Sequence, residues 1–451
     1  MNIDFHSKYI KYKTKYLYLK NNNIITNNEN NITTGGGDKK FTYLILDNQG
    51  LYHDRLREIL NYNGFKEVSK QHVLSSPNKF VDFFWMGQSN EEGNRFDKDL
   101  YKIKSTLKTL LWRDKSHTLG KDVITNKQQL YFNMEKHFPS ICSKHMAKTF
   151  VLKDIKSLKQ ILLNNTNQII TTTDTDTTDT DTTDTDTTDT DTTDTTDTTD
   201  TDTTDTTDTD TTDTDTTDTD QINKNSKKVY IVKPVGHGAC AGVGVTVVTN
   251  DKELEEARIT LCKKFNNIII SEYIQNPLLY EGRKFHLRMY ILINSDATWS
   301  LWERGRVVTA KLTYKKDDWT NIDIHDTHFK STPKDIYFPE DILHALPCGT
   351  SVARCVPNEK YEYIYKQMEL ILGAVVKIIK PHIKCYEEST NCCEVLGIDF
   401  MITDDYIVKL IEINAESSFS LKNEDKIKHK QYCSDFFDWF YKKSLLSKLF
   451  N

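Results

Sequence analysis

Gly397-Ile398-Asp399-Phe400-Met401-Ile402 runs through Thr403-Asp404-Asp405 into Ile407-Val408-Lys409-Leu410-Ile411-Glu412-Ile413-Asn414, two apolar runs joined by an acidic turn. That is the pattern of a β-hairpin. Side chains of a strand repeat every second residue, so Glu412 and Asn414 share a face, and Asp399 stands on the partner run. Hard oxygen donors without His or Cys suit Mg²⁺, which is commonly held by a few carboxylates together with substrate phosphates. Asp399, Glu412 and Asn414 are therefore the candidate metal ligands, for a metal that accompanies a nucleotide.

Working outward, Val232-Lys233-Pro234 ends an apolar run and opens onto Gly236-His237-Gly238-Ala239-Cys240-Ala241-Gly242-Val243-Gly244. Glycines let backbone N–H groups approach phosphate oxygens, and the lysine adds a positive charge. Lys233, Gly242 and Gly244 thus form a candidate phosphate cradle. The spacing is neither GxxxxGK[ST] nor GxGxxG before a helix, which disfavours P-loop and dinucleotide-binding readings. Farther on, Asn267 to Ile274 reads as a strand. Arg283-Lys284-Phe285-His286-Leu287-Arg288-Met289 begins another, with Lys284, His286 and Arg288 on one face and Phe285, Leu287 and Met289 on the other. Three cationic or titratable groups side by side repel unless an anion lies among them, and a triphosphate would serve.

The 451-residue chain has material for two or three domains. Residues 171–220 consist only of Thr and Asp, nineteen of them Asp. Such a segment has no apolar surface to offset the entropy of ordering, and is expected to stay disordered. Taking those nineteen charges away from the net −6 leaves a body of +13, which favours an anionic partner. Nucleic acid is the weaker choice because no recognised nucleic-acid module is present. Nine cysteines without a CxxC pair, and no secretory signal peptide, lead us to expect reduced thiols in a cytoplasmic protein, with Cys392 and Cys393 on the core side. No run of about eighteen apolar residues points to a membrane.

Strand runs at 41–46, 81–86, 147–152 and 228–234 alternate with helical patterns at 52–61, 127–137 and 155–163, so the fold class is α/β. Helical sequence over 361–379 should pack beside the final hairpin, and 436–449 should cap the fold. The division we expect is a basic leader and linker over 1–40, an N-terminal α/β subdomain over 41–125, a core over 126–170 and 221–451, and the Thr/Asp insertion. The Lys/Tyr-rich leader resembles those on many proteins of large DNA viruses, which would make the cytoplasm that of a host.

Five blocks in order resemble the tubulin–tyrosine ligase-like family, whose catalytic core is an ATP-grasp fold. They are Ile124 to Leu130, Tyr230 to Pro234 with Gly242-Val243-Gly244, Ser271 to Leu279, Gly282 to Arg288, and the hairpin from Gly397 to Ala415. The resemblance spans about Asn126 to Phe419 without the Thr/Asp tract. It implies that Lys127 and Lys233 contact ATP phosphates, that the backbone of Glu272, Tyr273 and Ile274 meets the adenine edge, and that Asp399, Glu412 and Asn414 hold Mg²⁺. Arg288 would meet the transferring phosphate or acyl phosphate, with Glu412 beside it in catalysis. Arg283, His325 and Thr327 fall in the implied substrate region. The chain departs from the family pattern at Ala241, Glu272, His286, Val308, Asp326 and His328, mostly where acceptor and amino acid should lie.

The function implied is an ATP- and Mg²⁺-dependent ligase that adds a free amino acid, glutamate by family breadth, to a carboxylate of tubulin or another acidic protein through an acyl phosphate. Lys311, Lys315, Lys316 and Lys330 are candidates to receive an acidic tail. Two other readings are a carboxylate–amine ligase acting on a small metabolite and a nucleotide-binding protein that does not catalyse.

Overall fold

In the computed structural model, the residues described are 41–46, 52–86, 102–110, 122–152, 229–235, 244–265, 267–327, 336–337, 358–385, 389–415, 417, 419 and 426–450. The leader, the Thr/Asp tract, the helix expected over 155–163, Gly242 and most of its loop, His328 and Lys330 lie outside them.

The N-terminal part runs β1 (Phe41–Ile45), α1 (Asp54–Tyr62), β2 (Phe65–Glu67), α2 (Lys70–Ser75), β3 (Phe80–Met86) and β4 (Lys104–Leu110). Next come α3 (Asp122–Thr125), α4 (Lys127–His137), α5 (Pro139–His145), β5 (Thr149–Leu152), β6 (Tyr230–Val235), β7 (Thr246–Val248), α6 (Asp251–Cys262) and β8 (Asn267–Glu272). The remainder is β9 (Leu279–Tyr280), β10 (Arg283–Asn294), β11 (Trp299–Thr309), α7 (Ile322–His325), β12 (Ile336–Tyr337), α8 (Asn358–Ile379), β13 (Ser389–Ile402), β14 (Val408–Asn414), α9 (Lys426–Lys443) and α10 (Leu446–Leu449). The architecture is mixed α/β with two sheets, as the ATP-grasp expectation requires.

The larger sheet has the order β12-β11-β10-β13-β4-β3-β1-β2, with β14 also paired to β13 and β9 to β10. Its N-terminal strands are parallel, and β4 joins β13 in parallel through Ser389 opposite Ser105. Alternation along β10 sends Phe285, Leu287, Met289, Ile291 and Ile293 into a core with Ile371, Leu372 and Val375 of α8. Tyr290 and Leu292 enter a second core, where Phe436, Phe437 and Phe440 of α9 meet Leu56 and Leu60 of α1. Lys284, His286 and Arg288 occupy the same face as Tyr290, before the aromatic cover of α9 begins.

The smaller sheet has the order β5-β8-β6-β7. Both β5 and β6 run antiparallel to β8, with Leu152 opposite Ile268 and Tyr230 opposite Glu272. Helix α6 covers it through Leu254, Ala257 and Leu261. Asn250 caps this helix by accepting from Glu253 N–H, while the Glu253 carboxylate accepts from Thr249 N–H, a reciprocal arrangement that holds the helix start.

Cysteine usage corrects one expectation. Cys385 and Cys392 form a disulfide across seven residues, tying the segment after α8 to β13. Their spacing gave no signal, because a seven-residue separation reveals nothing until the chain reversal between helix and strand brings the two Cα atoms to 5.5 Å. Cys392 and Cys393 do lie on the core side, both fully buried. No helix among the described residues is long and apolar enough to cross a membrane.

Phe436 is fully buried and packs against Trp302, Phe419, Phe437 and Trp439. Phe436→Ala should cost about 3–5 kcal/mol through lost burial and the cavity left behind, measured as a lower midpoint in chemical denaturation.

Candidate active site

Three adjacent strands set the floor of the site. In register, Arg288 of β10 faces Asp399 of β13, which faces Glu412 of β14, and Gly397 faces Asn414. Simple alternation would send Leu410 to the same face as Glu412. A bulge in β14 opposite the Asp399–Phe400 step changes the phase, so that Leu410 and Ile413 both enter the core while Glu412 and Asn414 point away from it. Arg288 lies across Gly397, where an added Cβ would come within 3.2 Å of its Cδ. A side chain at 397 would press on the Arg288 stem, so glycine gives the guanidinium room beside the carboxylate.

The side chains form one network. Arg288 donates to both oxygens of Asp399, through Nε to Oδ1 and through Nη2 to Oδ2 at 2.8 Å. The Asn414 amide donates to Asp399 Oδ2 at 3.2 Å and to Glu412 Oε1 at 3.1 Å. Lys127 Nζ meets Glu412 Oε2 at 2.7 Å. Lys127 is the first residue of α4, whose capping Asn126 side chain accepts from the N–H groups of Gln128 and Gln129. Burial pushes the Glu412 carboxyl up, but Lys127 at contact, with Lys233 and Arg288 beyond it, outweighs burial and holds the group well below the usual carboxylate range. Burial opposes the charge on Arg288 as well, yet the Asp399 partner raises its pKa further.

Asp399 and Glu412 are thus bridged by Asn414, and each of the three carries an oxygen donor. Because the Asn414 NH2 faces both carboxylates, its oxygen points away from them here; turned over, the same amide would join the two carboxylates with one neutral oxygen. That fits a hard divalent cation shared with phosphate oxygens. Among the described residues no group of three or more His, Cys, Asp and Glu could hold a metal ion.

Two amines approach from the other side. Lys233, half-buried on β6, has its pKa lowered by burial, an effect that Glu412 opposes and Lys127 reinforces. Lys284 is 4% exposed, and burial together with Lys233 pushes it down to about 7. Its Nζ donates to the Tyr273 hydroxyl at 2.8 Å and lies 4.1 Å from that ring's centre. No carboxylate among the described residues forms an ion pair with either amine. Gly244 sits in the left-handed region at φ 78° with Leu261 and Pro234 close by, a position that favours glycine.

The hinge residues Glu272, Tyr273 and Ile274 follow from β8. Glu272 N–H donates to Lys148 O and Tyr273 N–H to Val229 O. The remaining sequence candidates are dispersed around β10. Arg283 is tied to the backbone carbonyls of Ala310 and Lys311. Thr327 Oγ1 pairs with His286 Nδ1 at 2.7 Å, and His286 Nε2 lies 3.5 Å from Asp399 Oδ1. His325 is buried, with both ring nitrogens hydrogen-bonded inside the protein. The departures His286 and Val308 lie directly opposite each other across β10 and β11. Tyr273 and Lys284 contribute side chains that sequence reasoning had not joined, although Lys284 was visible on the basic face.

Residues 153–438 match the model of the tubulin-tyrosine ligase family. The chain is 27% identical to tubulin glycylase 3C of Tetrahymena thermophila over 209 residues, covering 42% of this chain and 18% of the relative. It is 28% identical to the probable tubulin–tyrosine ligase PBY1 of Saccharomyces cerevisiae, covering 36% and 22%. With human tubulin polyglutamylase TTLL11 it shares 23% identity, covering 45% and 30%. The matched stretch therefore spans less than a third of each of these relatives.

The Lys284 amine yields a pH prediction. An unfolded lysine keeps its proton up to about pH 10.5, whereas Lys284 in the folded protein loses it near 7. Stability from this group therefore rises with pH between those values, and the penalty for burying the charge is fully present below pH 7. Lys284→Met should gain more stability over the native protein at pH 6 than at pH 10, read from paired denaturant titrations.

Proposed function

The chain belongs to the tubulin–tyrosine ligase family, and on that basis we propose that it is an ATP- and Mg²⁺-dependent ligase adding an amino acid to a carboxylate of tubulin or another acidic protein. The supporting observation is the network of Asp399, Glu412 and Asn414 interlocked with Arg288 and Lys127. It pairs hard oxygen donors with fixed cations, the combination needed where phosphate charge must be held and then redistributed.

In this reading Lys127, Lys233 and Lys284 line the nucleotide phosphates, and the Glu272–Ile274 backbone meets the adenine. The acceptor carboxylate attacks the γ-phosphorus of ATP, and the bond to the β-phosphate oxygen breaks to release ADP. Arg288 stands beside Asp399 to meet the charge spreading over the transferring phosphoryl oxygens. The amine then attacks the acyl carbon, its proton leaves, and phosphate departs as the amide forms. Mg²⁺, held by Asp399, Glu412 and Asn414, would supply charge neutralisation at the phosphate oxygens.

Glutamate is the donor we propose, with tubulin or a similar acidic tail as acceptor. The glycylase, polyglutamylase and tyrosine ligase names of the relatives support tubulin as the acceptor class and leave the donor to be identified. The +13 body outside the Thr/Asp tract suits an acidic partner.

Intact-mass analysis of tubulin after incubation with the protein, ATP, Mg²⁺ and mixed amino acids tests this directly. A mass gain of one or more amino-acid residues is expected, and it should be lost in Glu412→Gln. A gain that persists undiminished in the variant would remove the metal role, and no gain with any acidic protein would remove the assignment.

A further inference from the structure

Beside the phosphate-facing amines lies a chain of hydrogen bonds whose direction is fixed at one end. His325 Nε2 is 2.7 Å from the backbone carbonyl of Asp318, which can only accept. Nε2 therefore carries the proton, and Nδ1 is left with a lone pair. That lone pair accepts from the Tyr273 hydroxyl at 2.7 Å. The phenol oxygen, having given its hydrogen to His325, accepts from Lys284 Nζ at 2.8 Å. One carbonyl thus sets the tautomer of a histidine, the rotor of a phenol and the direction of an amine.

The surroundings keep the chain in this state. Trp319 stacks on the His325 ring at 5.7 Å and meets the Tyr273 ring edge-on at 5.2 Å. Burial lowers the pKa of His325, and Lys284 adds to the effect despite the opposing Asp318 carbonyl, which favours the neutral ring the chain requires. Burial raises the pKa of Tyr273 and keeps its hydroxyl protonated. Tyr273 also belongs to the hinge, so the chain joins the adenine end of the proposed nucleotide site to an amine at its phosphate end.

We propose that His325 is a positioning residue that acts through Tyr273 to aim the Lys284 amine at the nucleotide phosphates, rather than a residue that touches substrate. This rests on the nucleotide-binding reading above. A positively charged His325 would donate from Nδ1 and leave the phenol hydrogen without its acceptor, which would break the chain.

ATP affinity is the readout, measured by calorimetry with the full chain from pH 6 to 9. His325→Phe keeps a stacking ring without hydrogen bonds, Tyr273→Phe removes the middle link, and His325→Asn can place an acceptor oxygen where Nδ1 sits. Both Phe variants should weaken ATP binding about tenfold, and the double variant should be no worse than either alone. The asparagine variant should recover most of the loss. Affinity of the native protein should fall as pH rises above neutrality, and that limb should move to lower pH in Tyr273→Phe, because the phenol oxygen no longer favours the charged amine. A His325→Phe protein that melts lower but binds ATP with native affinity and pH profile would overturn the proposal in favour of a purely structural histidine. If His325→Phe does not fold, native affinity in Tyr273→Phe would overturn it equally. Absence of ATP binding by the native protein would overturn the nucleotide reading, and this proposal with it.

Discussion

Arg288 and Asp399 form an ion pair across β10 and β13, with the aspartate 5% exposed. Removing two such charges from water costs more than their attraction returns unless further hydrogen bonds complete both groups. Here Asn414 completes Asp399 and passes the same amide to Glu412, which Lys127 neutralises. The network thus spans three paired strands, β10, β13 and β14, and reaches the start of α4 through Lys127. Gly397 lies beneath the Arg288 side chain, the bulge in β14 turns Glu412 toward the same face, and the capped start of α4 brings Lys127 to Glu412. Losing either charge of the Arg288–Asp399 pair would leave its partner buried, a far larger penalty than losing a surface salt bridge.

Much of this was legible because it rests on short-range rules. The alternation of Lys284, His286 and Arg288 against Phe285, Leu287 and Met289 is what β10 displays. The helix over 127–137 follows its Asn126 cap, and the hairpin appears with its acidic turn. What escaped depends on backbone partners, a bulge and a long-range strand pairing that no periodic pattern announces. Lys108 makes β4 read as a polar segment, yet it is fully buried, with its amine donating to the Ile103 carbonyl. Leu410 follows the wrong period because a bulge resets the phase. The pairing of β4 with β13 joins residues nearly three hundred positions apart, beyond any local signal. Helix α6 carries a readable signature in Asn250 and Glu253, a capping pair at its start.

The site also places two amines that form no ion pair with a carboxylate among the described residues. Both amines are desolvated, with Lys127 working against the charge of Lys233 and Lys233 against that of Lys284, so both surrender protons more readily than surface lysines. An arriving polyanion would reverse that balance and draw protons onto the pair. Ligand charge and protein protonation are then parts of one equilibrium, which makes the amines responsive to phosphate in a way that a preformed ion pair is not.

The strand order β5-β8-β6 bears on how the chain tolerates its long insertion. Because β5 and β6 run in the same direction with β8 between them, the chain must cross from one end of the sheet to the other whatever its intervening sequence. A connection is thus obligatory at this point, and only its length is negotiable. Closure entropy grows only with the logarithm of a connection's length, so the number of Thr and Asp residues between the two strands changes the net charge more than it changes the anchoring of the sheet.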